Sequence, residues 1–151
     1  MSIHIRKFLA LVLASAAFAL ALRADANVNF HSAAEWAGAY VFQDRNSTGF
    51  LRLVVTPEGR FILVGVGCFG SYWINHGNVA YRDGTLHLDP AVPLETGSMF
   101  DSTALIPIRW DERLYLVEAE RVGEFARTTK GSPSTCDHYC PGFFVRESDR
   151  E

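Results

Sequence analysis

The chain has 151 residues, 48% hydrophobic and 13% aromatic, with 14 basic and 17 acidic side chains and a formal charge of −3. That length supplies one domain with a real core and no room for a second of comparable size. The slight acidic excess, with no basic stripe, argues against nucleic acid and against an anionic membrane face as partners.

Residues 1–26 have the pattern of a secretory signal: Arg6-Lys7, an uncharged apolar run from position 8 to 22, then Ala24-Asp25-Ala26. Small residues at −3 and −1 place cleavage after Ala26. The run falls short of the roughly 20 apolar residues of a spanning helix, so a retained anchor is the weaker alternative. The expected division is a signal peptide over 1–26 and one domain over 27–151, exported to the periplasm or beyond the cell. No membrane anchor is expected after cleavage. Asn46-Ser47-Thr48 fits the glycosylation acceptor pattern, but the Ala-rich signal reads as bacterial, which makes this an ordinary loop.

Ser32 and Glu35 then stand in capping-box spacing, which predicts a short helix ended by Gly38. A strand is expected over 39–42. Three strand–turn–strand units follow. Strands over 50–56 and 60–66 flank Pro57-Glu58-Gly59, and strands over 78–82 and 85–89 flank Asp83-Gly84, a strong hairpin signal. Strands over 104–110 and 113–117 flank Asp111-Glu112, which is weaker turn chemistry. Residues 118–130 have helical composition with Gly131 as a C-cap, 131–135 form a turn-rich loop, a last strand covers 142–146, and 149–151 fray. Leu86 and Leu88 alternate with polar neighbours, so one face of that strand is wet. Phe61, Leu63 and Gly65 oppose Ile62, Val64 and Val66, so this strand is apolar on both faces and needs cover on each side or a ligand cavity on one. The fold class is all-β with one or two short helices, built as a single antiparallel barrel of roughly eight strands.

Trp36-Ala-Gly38-Ala-Tyr40, Thr56-Pro-Glu-Gly-Arg-Phe61, Gly67-Cys-Phe-Gly70, Leu86-His-Leu-Asp-Pro90, and Arg109-Trp110 with Arg113-Leu-Tyr-Leu-Val117 together resemble small exported bacterial proteins of unassigned function. Their architecture is similar to lipocalin-like, or calycin-like, barrels. The resemblance implies a fold and supplies no functional residue.

Gly65-Val-Gly67-Cys-Phe-Gly70 spells a dinucleotide fingerprint after a strand, but Ser71-Tyr-Trp-Ile-Asn75 has no helix period, so no cofactor is expected. Cys136-Asp-His138-Tyr-Cys140 brings two thiols and an imidazole within five residues, a donor set for Cu(I) or Zn²⁺. In an oxidising compartment the simpler reading is one disulfide among Cys68, Cys136 and Cys140, with the pairing open. His31, His76 and His87 show no ligand spacing. Weak candidates for a ligand cavity are Trp73, Arg109, Trp110 and Tyr115, although aromatic residues in a small barrel usually belong to the core. An Arg109 on the inner face would suit an anionic head-group, whereas on the surface its stem would lie over Trp110. No nucleophile elbow, zinc-protease pair or phosphate loop occurs, so an enzyme is not expected.

The resulting functional expectation is an exported barrel that binds a small apolar or amphipathic ligand. The alternative is an envelope interaction module or hydrolase inhibitor with a filled barrel, recognising a protein partner through loops such as 90–102. Copper or zinc handling through the Cys136 to Cys140 segment is a minor alternative. Interior volume separates the first two: an apolar void of about 300 Å³ or more suits a ligand, a packed interior suits the module.

Overall fold

The computed structural model describes residues 30–43, 48–95, 100–110, 112–129 and 142–150. Period-two patterning carries most of them into eight strands: β1 (Gly38–Phe42), β2 (Phe50–Val55), β3 (Arg60–Gly67), β4 (Gly70–Arg82), β5 (Thr85–Pro90), β6 (Ala104–Trp110), β7 (Arg113–Glu118) and β8 (Phe144–Arg146). They run antiparallel in sequence order round a closed barrel, with β8 returning to β1. Helix α1 (Ala33–Trp36) precedes the barrel, and α2 (Val122–Thr129) lies between β7 and β8. The all-β, eight-stranded expectation holds, and the architecture is consistent with a lipocalin-like barrel.

The turns explain the register. Asp83 and Gly84 both take positive φ, 52° and 77°, the signature of the primed two-residue hairpin turn whose twist matches its strands. Gly84→Val should therefore cost about 1 kcal/mol or more, read as a lowered urea midpoint; an unchanged midpoint would contradict this role. At the β2–β3 turn Gly59 has φ 78°, and the Thr56 amide donates to the Arg60 carbonyl at 2.8 Å. Glu112 carries φ 65° without being glycine, which accounts for the weak turn signal before β7. Gly67 pairs with Gly70, leaving Cys68-Phe69 as the β3–β4 turn. The glycine fingerprint thus spans a strand end, a turn and the start of the next strand.

Several boundaries differ from expectation. Strand β4 begins at Gly70, eight residues before the expected start. Two glycines and a bulge break its alternation and hid it. The last strand starts at Phe144 instead of 142, after Gly142 at φ 85°. The helical stretch after β7 opens with a 3-10 turn over Ala119–Arg121, and its expected end at Lys130 and Gly131 lies outside the described residues. The chain end does not fray at 149: Asp149 Oδ2 accepts from the Leu114 amide at 2.9 Å, and its carbonyl accepts from Arg113 Nε at 3.1 Å. A side chain that substitutes for a strand partner holds the terminus on β7.

Inside the barrel, Tyr40, Leu53, Phe61, Leu63, Leu86, Leu105, Leu114, Leu116 and Phe144 each keep 2% or less of their surface. A ligand-sized void would leave its lining accessible from within. The lumen framed by these residues is instead filled by the protein's own side chains, each large aliphatic contributing about 1.5–3 kcal/mol. A second cluster lies outside the barrel wall, where α2 covers the outer face of β6 to β8. There the rings of Tyr115 and Phe125 sit 5.1 Å apart, and those of Phe125 and Phe143 5.0 Å.

Candidate functional site

Among the described residues no helix covers the outer face of β2 to β4. Ile62, Val64 and Val66 alternate with the buried Phe61, Leu63 and Gly65, and remain only half-buried. Between β3 and β4 the register shifts: Leu63 faces Asn75, but Val64 faces Trp73. Ile74 is the extra residue of a β-bulge, a device that re-aims side chains and recurs beside functional sites. It sets Ile74 next to Trp73 along the outer wall, at 39% and 72% exposure. At the tip Phe69 is fully exposed and Tyr72 is 60% exposed. A Cβ on Gly67 or Gly70 would meet nothing within 4 Å, so the tip stands clear of the barrel.

Two Gly–aromatic pairs brace this hairpin from the inner side. Phe61 lies opposite Gly77, and Tyr72 lies opposite Gly65, with its ring over the bare backbone. Asn75, buried between them, accepts from the His76 and Val92 amides at 2.9 and 3.3 Å and donates to the Val92 carbonyl at 2.7 Å. One side chain therefore pins the loop after β5 to β4 at the point where their backbone pairing ends.

A groove of about 710 Å³ runs along this outer wall, lined by Thr56, Glu58, Arg60, Phe61, Ile62, Trp73 and His76. Its walls are mainly apolar, with one carboxylate and one guanidinium at the β2–β3 turn. The Thr56 hydroxyl holds the Glu58 carboxyl below its usual range, so Glu58 is an anion at neutral pH. Among the described residues no group of three His, Cys, Asp or Glu side chains could hold a metal ion.

No family model, curated protein or solved structure matches this chain. The site rests on its own geometry.

The candidates singled out from sequence do not converge. Trp73 is on the outer wall of β4. Arg109 shares the inward register of Leu105 and lies opposite Leu114, but it is exposed. Trp110 and Tyr115 do meet, in the cluster beneath α2, where Tyr115 is 1% exposed and Trp110 Nε1 is buried without a hydrogen-bond partner. They belong to a core. Cys68 is a free, exposed thiol at the β3–β4 turn, while Cys136, His138 and Cys140 lie outside the described residues. His31 and His76 are exposed and His87 is half-buried. Phe69, Tyr72 and Ile74 were missed, although the two-sided apolar pattern of β3 already signalled a face in need of cover.

A second hollow, about 440 Å³, is lined by Ala37, Gly38, Ala39, Arg146, Glu147 and Ser148. Here Arg146 Nη2 donates to the carbonyls of Glu35 and Ala37 and, at 3.2 Å, to the Tyr40 hydroxyl. Tyr40 in turn donates to the Trp36 carbonyl at 2.7 Å. The guanidinium lies 5.6 Å over the Tyr40 ring. This is a clasp between the two ends of the barrel sequence.

Proposed function

We propose that the protein is an exported interaction module with a filled barrel, which recognises a protein partner through the outer wall and tip of the β3–β4 hairpin. One observation carries the reading: large apolar side chains are spent on solvent at this hairpin while the lumen is packed. Exposed Trp and Tyr beside aliphatic residues have the composition of binding hot spots, where a few buried anchors supply most of the affinity. Export rests on the signal pattern of residues 1–26, and exported material should begin at Asn27.

A photo-crosslinking residue at 69 or 73 in producing cells should give a discrete protein adduct, and one at Asp83, in the β4–β5 turn, should give none. Trp73→Ala should lower the adduct formed from position 69 while shifting stability by no more than about 0.5 kcal/mol, as for an exposed side chain. Equal labelling from position 83, or no adduct from either hairpin position, would defeat the reading.

Small-ligand binding is the second reading, and the outer groove favours it. Trp73 offers a flat apolar wall and Arg60 a cation, which suits an amphipathic ligand with an acidic group. Native mass spectrometry of exported protein would show that ligand as an added mass lost in Trp73→Ala.

A further inference from the structure

The long β4 has a second property. It pairs with β3 over residues 70–78 but with β5 only over 77–82, and below that point the other edge carries the His76 carbonyl bond to the Ala91 amide and the Asn75 contacts to Val92. Among the described residues no strand pairs with the edge at 70–74. Alternate N–H and C=O groups along that edge therefore face water, a template that only another extended chain satisfies along its length. Natural barrels abolish their edges by closure, and sheets that keep an edge blunt it with Lys, Pro, a bulge or a covering loop; here the bulge at Ile74 lies at one end of the run and leaves the rest open. Gly70, Ser71, Tyr72, Trp73 and Ile74 carry no charge and no proline.

We propose that this edge pairs with the same edge of a second copy of the chain, antiparallel about a twofold axis near Tyr72. The inference rests on the hairpin being the recognition surface and names its partner. Three features select a second copy. An uncharged edge meets itself without like-charge repulsion, whereas a dedicated foreign strand would be expected to find a complementary charge on its host. The open run is five residues, 70–74, with Gly70 at φ 112° and the bulge at Ile74 as its two ends, so a twofold near Tyr72 pairs the regular stretch 71–73 with its copy. Finally, Phe69, Tyr72, Trp73 and Ile74 flank the edge, and with the half-buried valines behind them they offer roughly 500–800 Å² per copy, which at its upper end reaches the roughly 800 Å² per partner of a standard specific interface. A continuous sheet would then run from one barrel into the next.

Sedimentation equilibrium of the purified protein through the micromolar range should show a monomer–dimer equilibrium. Amides of 70–74 should exchange more slowly as concentration rises, with those of the Asp83-Gly84 turn unchanged. Ile74→Lys and Ser71→Lys, each placing a cation on the edge, should give monomers whose thermal midpoints match that of the wild type diluted to its monomer. If either variant fails to fold, the concentration dependence of exchange in the wild type still decides. A protein that stays monomeric, or a dimer whose 70–74 amides exchange as in the monomer, overturns the pairing. A monomer that nonetheless cross-links from position 73 to a different protein overturns it too, while leaving the interaction module intact.

Discussion

Gly77→Ala should destabilise the barrel by about 3 kcal/mol or more, and it is expected to be the most damaging single methyl that β4 can acquire. A Cβ at Gly77 would lie 2.0 Å from the Asp89 carbonyl oxygen and 3.0 Å from the Phe61 ring. The first obstacle is backbone of the neighbouring strand, and the second is a core side chain with 2% exposure. Neither can retreat without opening the β4–β5 ladder or the lumen. Gly65→Ala supplies the control. Its Cβ would come within 2.3 Å of Tyr72, which is nominally almost as severe. Tyr72, however, is a mostly exposed side chain that can swing into solvent, so the cost should stay near 1 kcal/mol. Paired urea melts would show the contrast; equal losses would mean that the two close approaches are equivalent and that Tyr72 is locked.

Arg146→Met should lower stability by about 2–4 kcal/mol, because three acceptors lose a charged donor in a part-buried clasp. Arg146→Lys should recover only part, since an ammonium cannot reproduce the planar fork that spans two carbonyls and a phenol. The same clasp predicts alkaline behaviour. Burial holds the Tyr40 phenol above its ordinary 10.0, with Arg146 pulling in the opposite direction. A raised folded value means that this stability is complete below about pH 10 and is lost as pH climbs through the folded value. Tyr40→Phe should abolish that alkaline slope, and Arg146→Met should carry it to a higher pH. Thermal melts across the alkaline range test both, and an unchanged slope in Tyr40→Phe would assign it to another group.

The barrel was legible in the sequence because its determinants are local. Turn residues with positive φ, Gly59 and Asp83-Gly84, and clean alternation at Leu86 and Leu88 marked strands within a residue or two. The first half of β4 was not legible. Gly70 and Gly77 resemble loop punctuation, and the extra Ile74 breaks the period, so the pattern carries no strand signal where the bulge sits. Trp110 and Tyr115 could not be assigned either. Whether an aromatic residue lines a cavity or lies under a helix depends on where α2 docks, a long-range fact that strand periodicity does not contain. The exposed face was half visible: two-sided apolarity of β3 showed that something was missing from one side, and only the assembled barrel showed which.

Every strand pairing but one joins sequence neighbours. The exception is β1 with β8, which meet through Tyr40–Arg146 and Val41–Val145, about a hundred residues apart. At roughly 5–20 residues per second of synthesis, β1 waits about 5–20 s for the strand that will seal it. The seven preceding strands can zip up hairpin by hairpin during that interval, but the cylinder cannot shut. The vulnerable species in the life of this protein is thus an open, nearly finished sheet whose free border stays unpaired until β8 arrives.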